Sequence, residues 1–303
     1  MGLTLVRWGT AEYERGPLEG LPPGVDVVTV SGPDAPLEAA DVLVVPSKSR
    51  VDAAAVQRLR RCQLVLTTTS GYDHLDLSAL AAAGIVVSYL PLARRDAVVE
   101  TALGMILSLT RRLGPLQAAA AIGRWERARL DEHGATTLGT VAVVGVGVIG
   151  SHMCTVLSAL GARVLRVDPR LEDGVPLPDA LAQADVVTLH CSLNPGNRRM
   201  MGAETLGGMR PGAVLVNTAR GALVDVEAAV AAVRAGHLAG LGLDVFPEEP
   251  SDLARWAAPN ILLTPHAAGW HPRLGEAVAA GVATAVRAVL DGAPVPFALG
   301  PGS

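Results

Sequence analysis

Short apolar runs alternate with longer, helix-spaced stretches along nearly the whole chain. Leu3–Trp8, Val25–Val30, Asp41–Val45, Leu64–Thr67 and Ile85–Val87 are such runs, each bounded by Gly, Pro or Asp. That is the pattern of parallel strands buried on both faces. Asp52–Arg60 and Leu77–Ala83 carry the helical spacing between them, and Ala97–Arg112 reads as a longer helix capped by Asp96. Residues 114–138 are weakly patterned and read as a bridge between two lobes. From Thr140 the alternation restarts, with strands expected at Val141–Val144, Arg163–Val167, Val186–Leu189, Ala213–Val216, Leu241–Asp244 and Ile261–Leu263. A final helix, Leu274–Leu290, follows and can return to the first lobe. The fold class expected is α/β: two Rossmann-like or flavodoxin-like lobes, each a doubly wound parallel sheet, with a cleft between them. The expected domains are residues 1–94 plus 274–303, and residues 95–273.

Composition sharpens this picture mainly by exclusion. Half of the 303 residues are hydrophobic and 18% are charged, enough to build a large core. The formal net charge is -4 with no basic run, so neither nucleic acid nor an anionic membrane is an expected partner. Three cysteines without a CxxC argue against a disulfide framework or a metal site and for a reducing, cytoplasmic setting. No secretory pattern opens the sequence. Gly139–Ala162 lacks Asp, Glu, Lys and Arg, but its glycines and His152 break it into a buried strand, a turn and a helix rather than a membrane span.

The first chemical signal is Gly145, Gly147 and Gly150, a G-x-G-x-x-G between the strand Val141–Val144 and the helix expected at Ser151–Leu160. Its glycines permit a tight turn, close approach of a pyrophosphate to backbone, and close helix–strand packing. The motif alone is weak; its context is not. Asp168 ends the next strand, where a carboxylate can accept both ribose hydroxyls of a dinucleotide. A 2′-phosphate there would meet like charge at about 4 Å, on the order of 4 kcal/mol per unit charge at an effective dielectric of 20. NAD is therefore favoured over NADP, with Arg166 and Arg170 near enough to soften the penalty.

Three later segments follow apolar runs and should emerge at the carboxyl edge of the second sheet: VNTARGALVD (216–225), LDVFPEEP (243–250) and TPHAAG (264–269). They would gather a guanidinium, carboxylates and an imidazole where open α/β sheets bind ligands. With SGYDHLDLSALAAAGIVV (70–87), AVVETALGMILSLTRRL (97–113), VVGVGVIG (143–150), MRPGAVLVNTARGALVD (209–225), AGHLAGLGLDVFPEEP (235–250) and NILLTPHAAG (260–269), the chain resembles the D-isomer-specific 2-hydroxyacid dehydrogenases over nearly its whole length.

That resemblance implies hydride transfer between NAD(H) and a D-2-hydroxy acid or 2-keto acid, and a homodimer built on the dinucleotide lobe. It implies catalytic roles for Arg220, Glu249 and His266: Arg220 holds the substrate carboxylate, His266 exchanges the proton, and Glu249 pairs with His266. The chemistry suits the residue types. Histidine titrates near neutral pH, and arginine binds a planar carboxylate through two parallel hydrogen bonds. The plain structural alternatives are a helix-start arginine, an inert loop histidine, and Glu248 rather than Glu249 as the partner. His74, His133, His152 and His237 read as surface or packing residues, and His271 as a pocket neighbour.

The cofactor set implied is Gly145, Gly147, Val148, Ile149, Gly150, Asp168, His190, Cys191, Thr218, Ala219, Asp244 and Gly269, with Asp244 near the nicotinamide amide. The substrate set is Lys48, Ser70, Gly71, Arg220, His266 and Trp270, with backbone N–H groups near Ser70 and Gly71 on the carboxylate. No metal is implied. The chain departs from the family pattern in HCSLN (190–194), in a shortened LGTVAVVG, and in Ser70, where a phosphite-oxidising relative has lysine. Lys48 with Arg94 and Arg95 offers more positive charge than one carboxylate requires, so a substrate with a second acidic group such as phosphate is expected. The alternatives are an NAD-sensing corepressor-like protein, an erythronate-4-phosphate or phosphonate-type dehydrogenase, and a relative of alanine dehydrogenase.

Overall fold

Most of the apolar runs become parallel strands at the positions their patterning indicates, in two separate sheets. The computed structural model describes residues 2–9, 16–32, 35–126 and 137–300. The chain divides into two compact units, Met1–Arg94 with Trp270–Ser303, and Arg95–Gly269.

The first unit contains β1 (Leu3–Trp8), β2 (Val25–Val30), β3 (Val42–Val45), β4 (Leu64–Thr67) and β5 (Val86–Tyr89), hydrogen-bonded in the order β2-β1-β3-β4-β5. Every pairing is parallel. The two-residue side-chain period sends Val6, Leu43, Val45 and Val65 to one face. Leu5, Val42, Val44 and Leu66 point to the other, where they meet Leu274, Val278 and Val282 of α9 (Leu274–Leu290). Short helices α1 (Ala53–Arg58) and α2 (Leu77–Ala82) start where Asp52 and Asp76 accept hydrogen bonds from Ala55 N and Ala79 N. The expectation that Val25–Val30 is a buried strand needs correction. It pairs only with β1, and its four central residues are exposed, because an edge position leaves its flanks uncovered.

The second unit contains β6 (Thr140–Val144), β7 (Arg163–Val167), β8 (Val186–Leu189), β9 (Ala213–Asn217), β10 (Leu238–Leu243) and β11 (Ile261–Leu263), in the order β11-β10-β9-β8-β6-β7. All of these pairings are parallel too. Val141 and Val143 pack with Val99, Ala102, Met105 and Ile106 of α3 (Leu92–Thr110) and with Met153 and Leu157 of α5 (Val148–Ala159). Ala142 and Val144 face α6 (Leu177–Gln183) and α8 (Val226–Arg234).

Three helix expectations are corrected. The helix α3 begins at Leu92, directly after Pro91, whose fixed φ suits a helix start, and Asp96 lies inside it rather than at its cap. The Asp96 carboxylate instead meets Arg95 Nε at 2.7 Å and His152 Nε2 at 3.5 Å. In the weakly patterned bridge, Leu113–Ala121 forms α4; its Pro115 falls in the first turn, where a missing N–H costs no helical bond. The glycine-motif helix starts at Val148, not Ser151. His133 lies outside the described residues. Among those described, no helix is long and apolar enough to cross a membrane.

Candidate active site

The second sheet reverses its winding between β6 and β8, and such a switch point is where open α/β sheets bind ligands. In the turn after β6, Gly145 and Gly150 leave no room for a Cβ. Gly145 has φ 88°, and a Cβ there would lie 2.4 Å from the backbone N of Cys191 in the loop after β8. A Cβ on Gly150 would fall 1.9 Å from Gly145 O, so the helix α5 can approach the turn only without one. Gly147 is different: it caps α5, and a Cβ there would meet nothing within 4 Å. The open position at a helix N-terminus is the cradle a pyrophosphate needs, so these residues fit a dinucleotide.

Around this turn, Val148 and Ile149 lie in the first turn of α5. Asp168, just past β7, is 5% exposed and accepts from Val146 N at 2.9 Å, which ties the carboxylate to the glycine loop. The Arg170 guanidinium beside it is the largest influence holding its carboxyl at about 2. His190 sets its Nε2 at 3.0 Å from Thr188 Oγ1, and burial pushes its imidazole down to about 4, so it is neutral at pH 7. Burial pushes the Cys191 thiol up to about 11, which makes it a packing group rather than a nucleophile. Thr218 is 8% exposed and its hydroxyl has no partner among the described residues.

Arg220, Glu249 and His266 come from the loops after β9, β10 and β11 of the same unit. His266 Nδ1 stands 2.6 Å from Glu249 Oε2, which leaves Nε2 as the nitrogen for a reacting atom. Glu249 Oε1 accepts from Phe246 N at 2.9 Å, so the carboxylate is clamped at both oxygens. Burial works to raise the Glu249 carboxyl, but His266, the Phe246 N–H and the charge of Arg220 together hold it below the ordinary glutamate value. The Arg220 charge is thus felt at the histidine's partner, and the three residues form one cluster. Glu248, the alternative partner, makes no such contact; its carbonyl accepts from Ser251 Oγ.

His266 adopts φ 53°, a left-handed conformation that costs a non-glycine residue about 1 to 3 kcal/mol. Asp244, 1% exposed, holds it there. Its Oδ1 accepts from Thr264 Oγ1 at 2.7 Å and Ala267 N at 2.8 Å, its Oδ2 accepts from Ala268 N at 3.0 Å, and its carbonyl accepts from His266 N at 2.7 Å. Both Asp244 oxygens are thus engaged with the histidine loop, which ends at Gly269.

Two further residues shape the cluster, and sequence reasoning did not single them out. Asn217, fully buried at the end of β9, donates from Nδ2 to Arg220 O at 2.9 Å and accepts at Oδ1 from Ala219 N at 3.0 Å. Both ends of its amide are spent on the loop that carries Arg220. Gly221 packs directly on the backbone of Phe246: a Cβ there would lie 1.9 Å from Phe246 C and 2.1 Å from its O. The signal available for Asn217 was a polar residue closing an apolar strand. Gly221 had none, because the contact is non-local.

Lys48, Ser70, Gly71 and Trp270 belong to the other unit. Lys48 and Trp270 are exposed, while the Ser70 hydroxyl is buried without a partner among the described residues. Arg94 is buried and donates to Thr68 O, and Arg95 is bound to Asp96. Both lie within α3, whereas the sequence put them ahead of a helix starting at Ala97. His271 Nε2 contacts Ala93 O at 2.9 Å.

Residues 103–268 match the family model described as D-isomer specific 2-hydroxyacid dehydrogenase, NAD binding domain. The chain is similar to the D-3-phosphoglycerate dehydrogenase of Mycobacterium leprae (strain TN), 33% identical over 291 residues, which are 91% of this chain and 55% of that protein. It thus spans about half the length of that relative. Among solved structures, the TT0316 protein from Thermus thermophilus is 31% identical with TM-score 0.77, over 98% of this chain and 100% of the other. A D-lactate dehydrogenase from Treponema pallidum is 25% identical with TM-score 0.75, over 99% and 100% of the two chains.

Proposed function

The chain belongs to the family of D-isomer specific 2-hydroxyacid dehydrogenases, and on that premise we propose that it interconverts a D-2-hydroxy acid and its 2-keto acid with NAD(H). The observation that carries this reading is the 2.6 Å contact of His266 Nδ1 with Glu249, under the charge of Arg220, in the unit that matches the family's NAD-binding domain. When bound, the nicotinamide supplies or accepts the hydride at substrate C2. His266 Nε2 gives a proton to the keto oxygen in reduction and takes it back in oxidation. The Glu249 carboxylate fixes the ring through Nδ1, so that Nε2 faces the substrate. Arg220 receives the substrate carboxylate and draws charge from the adjacent oxygen. Thr218 and Ala219, on the loop that Asn217 pins, line the nicotinamide face.

The backbone N–H groups near Ser70 and Gly71 are the proposed further donors to the substrate carboxylate. The second-acid expectation narrows to Lys48, because Arg94 and Arg95 are committed to Thr68 O and Asp96. Similarity to D-3-phosphoglycerate dehydrogenases keeps a phosphate-bearing substrate in view. A homodimer is part of the same proposal: α4 and the residues after it expose Leu113, Ile122 and Trp125, the last at 92%, and sedimentation with Trp125→Glu tests that surface. A cytoplasmic setting is supported by three unpaired cysteines.

The deciding experiment follows NADH oxidation with plain and phosphorylated 2-keto acids, for wild type and His266→Ala. Turnover by wild type, with an about 10²- to 10⁴-fold loss in the variant and NADH binding retained, is the expected result. NADH binding without turnover of any acid would instead identify a cofactor sensor.

A further inference from the structure

We propose that Thr101, on α3, is a positioning residue for proton transfer: its hydroxyl supplies a second clamp on the loop that carries His266. The inference rests on the catalytic reading above and starts from an unusual helix threonine. In a helix, a threonine hydroxyl commonly bonds the carbonyl one turn back. Thr110 does so to Ile106 O at 2.9 Å, Thr155 to Ser151 O at 3.1 Å and Thr284 to Ala280 O at 2.9 Å. Thr101 has Ala97 one turn back in the same helix, yet its Oγ1 donates to Ala268 O at 3.3 Å, 167 residues away in sequence. Ala268 is 2% exposed, and among the described residues only Thr101 donates to its carbonyl.

The two clamps take different halves of the loop's backbone. Asp244 accepts the N–H groups of His266, Ala267 and Ala268, the first through its carbonyl and the others through its carboxylate. Thr101 instead donates to a carbonyl, an atom that an ionised carboxylate cannot bind. Both clamps are mounted on one packed body. β10 ends at Leu243, directly before Asp244, and a Cβ on its Gly242 would lie 3.3 Å from Met105 Cβ of α3, so strand and helix are in close contact. Val99 and Ala102, which flank Thr101, are buried in the same cluster as Met105. Loss of the hydroxyl would leave a buried carbonyl without a donor. It would also release the segment two residues past His266, whose left-handed backbone persists only while its surroundings hold it. The resulting displacement falls on proton delivery by Nε2 and not on carboxylate binding, which Arg220 performs from another loop.

Thr101→Val keeps the shape and removes the donor; Thr101→Ser keeps the donor and removes the methyl group. In NADH-dependent reduction of a 2-keto acid, Thr101→Val should lose about tenfold or more in kcat, with KM and the NADH Kd within about threefold of wild type. Thr101→Ser should keep kcat within about threefold. Hydrogen exchange read by mass spectrometry over residues 260–269 reports on the clamp without turnover: exchange in Thr101→Val should be about tenfold faster than in wild type or Thr101→Ser. Equal losses in both variants, or a Thr101→Val loss that appears in KM or in NADH affinity, would assign Thr101 to packing and overturn the inference. So would a kcat or an exchange rate in Thr101→Val within about threefold of wild type. In each of these cases wild-type turnover leaves the dehydrogenase reading standing. Wild type that turns over no 2-keto acid removes that reading, and the positioning role with it.

Discussion

Gly221→Ala is a one-methyl change that tests whether the Arg220 loop and the Glu249 turn form a single rigid unit. Gly221 does not lie in the left-handed region, so alanine is conformationally acceptable and the clash is the whole perturbation. The new Cβ would fall 1.9 Å from Phe246 C, 2.1 Å from its O and 2.5 Å from its Cα, all backbone atoms that no rotamer change can remove. Restoring an ordinary 3.4 Å contact requires a displacement of about 1.5 Å. Phe246 resists it, because its ring is buried and stacked on Trp256 at 5.3 Å and 5°. If Phe246 moves, its N–H carries Glu249 Oε1 with it; if it stays, Arg220 is displaced. A misplacement of about 1 Å costs on the order of 10² in rate, so kcat/KM for keto-acid reduction should fall at least about 10²-fold. Overpacking should cost about 1 to 3 kcal/mol as well, read as a lower Tm. NADH affinity, carried mainly by the Gly145–Gly150 turn, should change far less than turnover. A variant that loses Tm but keeps kcat/KM within about threefold would refute the coupling: the strain would then have been absorbed without moving either catalytic group.

Other outcomes follow from the same geometry. Asn217→Asp keeps an acceptor for Ala219 N but loses the donor to Arg220 O and buries a charge; kcat/KM should fall about tenfold or more, with a stability loss of about 2 kcal/mol or more in denaturant titration. His190, held at about 4 by burial, is neutral in the folded protein while the unfolded chain protonates from about pH 6.5 downward. Stability should therefore fall as pH drops from about 6.5 towards 4, and His190→Gln should flatten that limb in pH-dependent melting. Asp168, held at about 2 chiefly by Arg170, contributes stability that is present above about pH 4 and lost only as pH falls towards 2. Asp168→Asn should leave the His190 limb intact and remove the lower one.

The strands were legible because parallel strands buried on both faces need continuous β-branched or leucine-rich runs, and little else in a sequence has that form. Leu64–Thr67, Arg163–Val167 and Val186–Leu189 fall where those runs stand. Helix starts were less legible. Arg94 and Arg95 stood ahead of the helix expected at Ala97 until the chain placed them in the first turn of α3, and Pro115 masked α4 although a first turn tolerates proline. The exposed flanks of β2 were hidden for another reason: edge and centre are properties of strand order, which hydrophobic pattern does not encode.

The candidate site divides along the same line. Arg220, Glu249 and His266 were visible because their chemistry is carried by residue type and by position after an apolar run. What holds them was not, because it depends on contacts between loops far apart in sequence. Asp244 reads as one more acid at a strand end, yet its two oxygens fix the Thr264–Ala268 loop and with it the left-handed backbone of His266. Gly221 reads as one of 33 glycines, yet it is where the arginine loop lies directly on the turn that orients the glutamate. A carboxylate, an amide and a missing methyl group thus do the positioning, each buried or nearly so. In a low-dielectric setting they hold charged groups at fixed distances without the reorganisation that water would require. The reactive side chains can consequently remain as exposed as His266 is, at 48%, and still meet a substrate in one geometry.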